Sequence, residues 1–318
     1  STDASRAKTR GVIIQNYDLD LLRTTGLVRV KTNNTISSTL NKDGGTTNQN
    51  TTVTTLYDEK GKIQDVMKDG VFVGVTGSGT VQSTDAAGNV TNSTVTQIYD
   101  RDLTLKFGNG KLKDSITNST TVNRDGAVTN GDSKTTNIYN IHGELIDVTG
   151  TSNSTSTDPY GNVTTAPEST QEYDENILAA TGLVKINKTI TESNTNNKDK
   201  SQNNQKVTVT FAYDDHGVAV EKRAANGIGL ELETTGSGIS NSNDGYGNKS
   251  QGEITQIYIV VDGQARLSKV TTNTKTIDTS FDLKKYEKAQ SGKNRDGTWS
   301  TSTNSIDYSY DNEGRLIG

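Results

Sequence analysis

The sequence predicts an all-β protein: an elongated array of long antiparallel β-hairpins, stacked as a repeating, solenoid-like set of sheets. Three observations carry that reading. A Tyr, usually followed by Asp or Asn, recurs at Tyr17, Tyr57, Tyr99, Tyr139, Tyr173, Tyr213, Tyr258 and Tyr310, at intervals of 34 to 52 residues. One supersecondary unit with loops of variable length produces such a spread. Asx-x-x-Gly turns fall between these tyrosines. The intervening arms are rich in Thr, Val, Ile and Tyr, which suit a pleated surface.

Composition makes the core thin. Of 318 residues 29% are hydrophobic, whereas Ser and Thr supply 77, so one large apolar core cannot offset the ordering entropy of the whole chain. Net charge −5 with both signs interspersed offers no basic stripe for nucleic acid or an anionic membrane surface. No run of 18 apolar residues predicts a membrane span. With no Cys, disulfides and thiolate metal sites are excluded. A chain beginning at Ser1 reads as a processed protein or as a piece of a longer array.

Taken in order, residues 1–10 lack any pattern and read as a flexible leader. Val12, Ile13 and Ile14 then lead into Tyr17. After the tyrosines come tight turns, clearest in Tyr57-Asp-Glu-Lys-Gly61, Tyr139-Asn-Ile-His-Gly143, Tyr213-Asp-Asp-His-Gly217 and Tyr310-Asp-Asn-Glu-Gly314. The Asx side chain accepts a backbone N–H two residues on, and the Gly takes positive φ. A second turn family marks the opposite tips: Asn41 to Gly44, Asp85 to Gly88, Asn123 to Gly126, Asp158 to Gly161, Asp244 to Gly247 and Asn294 to Gly297. Asp69-Gly70, Gly108-Asn-Gly110 and Asn226-Gly227 read as bends in the outgoing arms, and Gly70, outside both families, is expected to accept Ala more easily. Alternation in the return arms, as in Val207, Val209, Phe211 and Tyr213, gathers apolar side chains at the tyrosine end. There Tyr57, Tyr99, Tyr139 and Tyr213 are expected to form a column of related positions.

A larger period lies above the smaller one. Thr25-Gly-Leu-Val-Arg-Val30 recurs as Thr181-Gly-Leu-Val-Lys-Ile186 at an offset of 156, and Thr76-Gly-Ser-Gly79 as Thr235-Gly-Ser-Gly238 at 159. Two tandem four-hairpin blocks follow, 11–170 and 171–318. The copy is imperfect: Lys200 stands where the first block has a turn Gly, and extra residues, including the charged stretch 282–288, lie between Tyr258 and Asn294.

Tyr-Asp-x-x-Gly followed by an apolar residue, at Tyr57–Ile63, Tyr213–Val218 and Tyr310–Leu316, together with Gly88-Asn89-Val90 and Gly161-Asn162-Val163, resembles the YD-repeat, or Rhs-type, family of bacterial exported proteins. The resemblance implies β-hairpin repeats that serve as cell-surface structures or toxin-enclosing shells. It covers the turns and not the arms, and the spacing here is about twice the family's.

Catalytic chemistry is hard to find. His142 and His216 occupy the same turn position, one residue before Gly, and offer no ligand spacing. The pairs Asp18/Asp20 and Asp100/Asp102 read as a turn Asp beside a solvated neighbour rather than a Ca²⁺ or glycosidase site. Gly-Ser-Gly at 77–79 and 236–238 lacks the Lys and helix start of a phosphate loop, and reads as a strand bend or close backbone contact. No cofactor and no enzymatic activity are predicted. The expected function is an extracellular structural protein of a bacterial cell surface, a segment of a fibre, filament or stalk. The alternative is an adhesin or carbohydrate-binding module whose hairpin tips hold a surface glycan through Tyr160, Tyr246 and Trp299. Aromatics tucked between hairpins would favour the first, exposed ones the second. The expected partner is a further copy, or the next segment of a longer array, joined head to tail through Ile13 and Ile14 at one end and Leu316 and Ile317 at the other.

Overall fold

The computed structural model describes residues 7–223, 230–261, 264–311 and 316–318. In chain order its strands are β1 Lys8–Tyr17, β2 Val30–Leu40, β3 Thr46–Thr55, β4 Met67–Lys68, β5 Val71–Phe72, β6 Val75–Thr84, β7 Val90–Tyr99, β8 Leu112–Val122, β9 Val128–Tyr139, β10 Leu145–Thr157, β11 Val163–Tyr173, β12 Ile186–Asn196, β13 Gln202–Thr210, β14 Glu221–Arg223, β15 Leu230–Leu232, β16 Thr235–Asn243, β17 Lys249–Val261, β18 Gln264–Ile277 and β19 Thr301–Asp307. Among the described residues three helices interrupt them: α1 Leu19–Thr25, α2 Arg101–Phe107 and α3 Glu175–Thr181. Fifteen strands form one antiparallel sheet in chain order, with β4–β5 and β14–β15 set aside as two-stranded hairpins. The chain divides into two compact units, Ser1–Arg124 with Asn130–Gly150, and Asp125–Thr129 with Thr151–Gly318. The sequence copies meet at 170/171, inside β11.

Most strands bury neither face. Along β2, and along β7 as far as Ile98, the side chains vary between exposed and half-buried, as Thr- and Asn-rich arms require, since their two faces differ little in polarity. Stability must come from the backbone ladder and cross-strand pairs. Thr9 and Thr39 hydroxyls meet at 2.9 Å, Thr91 and Thr121 at 2.8 Å, and Thr164 and Thr195 at 2.9 Å. Those three equivalent pairs reveal a repeat of four strands, with two kinds of tyrosine in each.

The first kind is Tyr17, Tyr99, Tyr173 and Tyr258. In every case a β-bulge immediately precedes the Tyr, which pairs with Val30, Leu112, Ile186 or Leu267. The second kind is Tyr57, Tyr139, Tyr213 and Tyr310. Three of their hydroxyls donate to the carbonyl of the residue opposite the preceding bulge: Tyr57 to Val30 at 3.1 Å, Tyr139 to Leu112 at 2.8 Å and Tyr310 to Leu267 at 2.9 Å. A bulge disrupts the local ladder, and the next tyrosine takes up a carbonyl beside it. The expected column is therefore two alternating rows. Tyr99 is buried in the apolar cluster of the first unit with Ile63, Phe72 and Val75, against which Val53, Tyr57, Leu105 and Leu112 pack.

Helices replace tight turns after Tyr17, Tyr99 and Tyr173. Asp18, Asp100 and Asp174 cap them by accepting from the backbone N–H of Leu21, Leu103 and Ile177, and Gly26, Gly108 and Gly182 close them in the left-handed region. Asp18 and Asp100 are thus helix caps, and Gly108 is a helix terminator, not an arm bend. β17 runs through Tyr258 to Val261 without any turn.

The turn glycines Gly61, Gly88, Gly126, Gly143, Gly161, Gly217, Gly247 and Gly297 have φ between +73° and +94°. Gly70 joins them at +77°, beside Asp69 at +50°, because the two form the tight turn of the β4–β5 hairpin. The expectation that Gly70 lies outside such constraint is therefore corrected. Gly314 and the bend at Asn226-Gly227 lie outside the described residues, as do residues 1–6 of the expected leader; residues 8–10 already belong to β1. The close-contact reading of Gly-Ser-Gly is met: a Cβ on Gly77 or Gly236 would fall 2.2 or 2.3 Å from Oε1 of Gln97 or Gln256. These glutamines accept the hydroxyls of Tyr99 and Tyr258.

Lys200 retains the backbone of the Gly it replaces, with φ +72°. A left-handed non-Gly residue costs about 1–2 kcal/mol, part of which Gly returns as extra freedom of the unfolded chain. Lys200→Gly is expected to stabilise the fold by roughly 0.5–1 kcal/mol in urea melts, and Gly88→Ala to destabilise it by more than about 1 kcal/mol. A neutral or destabilising Lys200→Gly would refute strain at this turn.

Candidate functional site

The tip turns fall into two alternating classes once their neighbours are known. One reads Asp-x-x-Gly-Asn, at 85–89, 158–162 and 244–248; the other reads Asn-Lys/Arg-Asp-x-x, at 41–45, 123–127, 197–201 and 294–298. In the first class Asp Oδ1 accepts the N–H two and four residues on, as from Ala87 and Asn89 to Asp85, both at 2.9 Å. Its Oδ2 accepts from the Asn side chain: Asn89 to Asp85 at 2.7 Å, Asn162 to Asp158 at 2.7 Å, Asn248 to Asp244 at 2.6 Å. In the second class the third-position Asp accepts from the N–H two residues on, as Ser201 to Asp199 at 2.9 Å.

Holding the Asn amide fixes its oxygen toward the neighbouring tip. Asn89 Oδ1 accepts the N–H of Arg124 at 2.9 Å, Asn162 that of Lys198 at 3.2 Å, and Asn248 that of Arg295 at 3.0 Å. Arg295 also donates from Nη1 to the Tyr246 carbonyl at 3.1 Å. Neighbouring tips are thereby linked in pairs, each basic side chain running past the Gly of the other turn. The linking Asn was missed in the sequence, although Gly-Asn at 88–89, 161–162 and 247–248 alternates there with Asn-Lys/Arg-Asp.

The second unit carries the aromatic residues proposed for binding. Tyr160 and Tyr246 take the same position in their turns and are 79% and 81% exposed; Trp299, just past the Arg295 turn, is 68% exposed. Four strand spacings separate the first two tips, about 19 Å at the usual interstrand distance, and Trp299 lies two further strands along. Among the described residues nothing folds over these rings, so they meet the exposed, not the tucked, condition.

Elsewhere, His142 and His216 are exposed in their turns. Among the described residues no group of three His, Cys, Asp or Glu converges on one point. An open groove of about 760 Å³ in the first unit is lined by Tyr57, Asp58, Lys62, Leu105 and Phe107 among others. Beside it Asp65 forms an ion pair with Arg101. Comparison with protein-family models, characterised proteins and solved structures returns no match.

The tip carboxylates give the turns a pH dependence. The Asn89 backbone N–H, then its side chain, holds Asp85 below the usual carboxylate range. At Asp158 and Asp244 desolvation pushes upward but is outweighed by hydrogen bonds from the turn, and both also lie low. A lowered folded-state value contributes stability above the ordinary Asp range near pH 4, lost as pH falls through the folded value. Wild-type stability should therefore decline on acidification more than that of the Asp85→Asn, Asp158→Asn, Asp244→Asn triple variant, compared by thermal melts from pH 7 to 3. Parallel declines would show that the turn carboxylates are not responsible.

Proposed function

We propose that this chain is a non-enzymatic structural repeat protein of the bacterial cell exterior, a segment or subunit of a surface fibre, filament or stalk. The observation that carries this reading is the pair of open sheet edges. Among the described residues β1 and β19 each have a single neighbour, and β1 presents exposed Val12, Ile13 and Ile14 along such an edge. An exposed edge with apolar side chains is a template for another strand. The turn resemblance to YD-repeat proteins supports the same class.

Head-to-tail contact brings Ile13 and Ile14 of one copy to Leu316 and Ile317 of another, residues 64%, 45%, 60% and 68% exposed. Leu316 bridges back to Tyr310, and the Ile317 N–H donates to the Ser309 carbonyl at 2.9 Å, so this segment already starts an outgoing arm. β1 and β19 both run toward their tyrosines. Direct contact that continues the array thus pairs them in parallel, slightly weaker per residue than the antiparallel ladder. Light scattering should show size increasing with concentration for the intact chain, and an Ile13→Lys, Ile14→Lys variant should remain small. A monomer at all concentrations, or a variant that grows equally, counts against assembly through these ends.

A second reading, an adhesin or carbohydrate-binding module, is favoured by the exposure of Tyr160, Tyr246 and Trp299. Single exposed aromatics are ordinary; recurrence at one turn position is the argument. Glycan-array binding by the intact chain that is lost in the triple Ala variant, with an unchanged melting temperature, is the expected result. No glycan retained above background would remove this reading.

A further inference from the structure

One side-chain row changes its surroundings between the two tandem copies. In the second unit Asn194, Asn204, Asn241 and Gln251 are successive cross-strand partners on β12, β13, β16 and β17. Gln251 Nε2 donates to Asn241 Oδ1 at 2.9 Å. An out-and-back loop, residues 278–292, lies over this row, its ends held together by the pairing of Ile277 with Ser291. The row binds the loop's backbone. Asn204 Nδ2 donates to the Leu283 carbonyl at 3.2 Å, and Asn241 Nδ2 to those of Leu283 and Lys285 at 3.0 and 2.8 Å. Gln251 donates to the Glu287 carbonyl and accepts the Ala289 N–H, at 2.9 and 2.8 Å. Asn241 and Gln251 become fully buried in consequence.

The same row recurs in the first unit at the offsets of the tandem copy. Ser38, Asn48, Gln82, Asn92 and Thr120 are successive cross-strand partners, and Thr120 donates to Asn130 at 2.8 Å. The central amides are exchanged, Gln82 for Asn241 and Asn92 for Gln251, yet they make the same mutual bond, Gln82 Nε2 to Asn92 Oδ1 at 3.0 Å. That bond uses one donor and one acceptor, and each amide retains further hydrogen-bonding capacity. All six residues of this row are exposed.

We propose that this bare row is a docking site for a second polypeptide, bound through its backbone as the 278–292 loop is bound, and uncharged where that loop is charged. The neutrality follows from the residues flanking the two rows. In the second unit Glu253 pairs with Lys288 of the loop at 2.9 Å, and Lys206, itself paired with Glu192, lies over the Tyr286 ring. At the corresponding places the first unit has Thr94, Asn50 and Ile36. Ile36, Leu40 and Val122, on the same face two residues from the row, are 43%, 50% and 47% exposed. From β2 to β8 the site therefore offers amides to a backbone and apolar or uncharged polar side chains to its flanks, and a charge enters only at its far end, at Asp132 two residues beyond Asn130 on β9.

The probe is a fluorescein-labelled peptide of residues 277–292, closed by a disulfide between added terminal cysteines, with Asp278, Asp282, Lys284, Lys285, Glu287 and Lys288 replaced by Asn or Gln. Anisotropy against the intact chain should show saturable binding. Asn48→Ala with Asn92→Ala, both at exposed positions, should weaken it at least tenfold, with circular dichroism reporting that the fold is kept. The peptide with native charges should bind several-fold less tightly. Hydrogen exchange should place the added protection on the first unit's row. The proposal is overturned if binding fails to saturate by millimolar protein, if the double variant binds as well as wild type, or if protection appears only around Asn241 and Gln251, where the peptide would have displaced the native loop.

Discussion

The hydrogen bond from one tyrosine hydroxyl to the carbonyl beside the previous bulge is the contact on which this architecture turns. A sheet whose two faces are both wet has no apolar slab to punish a one-residue slip, so its register must be specified by other means. The bulge before Tyr17, Tyr99, Tyr173 and Tyr258 interrupts the ladder at a defined place. Tyr57, Tyr139 and Tyr310 then reach across to Val30, Leu112 and Leu267. A slipped strand would separate the hydroxyl from its carbonyl and move the Gly of the following turn off the surface it packs on. Gly61 is one such case: a Cβ there would stand 2.8 Å from Leu27.

The tips perform the complementary task with polar groups alone. Asn89, Asn162 and Asn248 each bind their own turn Asp with the amide nitrogen and the next tip with the amide oxygen. Individually such bonds contribute little, because water competes for the exposed groups. Their effect is to connect hairpins at the end that lacks apolar contacts. Both ends of the strands are thus tied to neighbours, the tyrosine end by packing and the tips by hydrogen bonds. As in other repeat proteins, stability is then distributed over neighbour contacts instead of a single centre.

One amide row occurs twice in the chain, and the two occurrences differ in what lies above them. The row under residues 278–292 has lost its water and gained carbonyls, at the cost that burying amides always carries unless every group is paired. The row from Ser38 to Asn130 remains solvated. The loop present over one copy makes an interior ladder of what is a surface ladder in the other, on the same register beneath.

The tyrosines, the two turn families and the strand-forming arms were all legible in the sequence, because each depends on residues within a few positions: an Asx oxygen, a Gly free to take positive φ, an alternation of Thr with Val or Ile. The helices were legible in principle from Asp18 with Gly26, Asp100 with Gly108 and Asp174 with Gly182, but the tight-turn chemistry that follows Tyr57 and Tyr139 was extended to them too readily. The bulges, the tyrosine-to-carbonyl bonds and the burial of Asn241 were not legible. Tyr57 and Val30 stand 27 residues apart, and Asn241 and Leu283 stand 42 apart. Local chemistry determined where the chain turns and which stretches extend. Only the tertiary structure decided which carbonyl meets which hydroxyl and which amide row is covered, because those choices depend on register and on a loop folded back over strands distant in the chain.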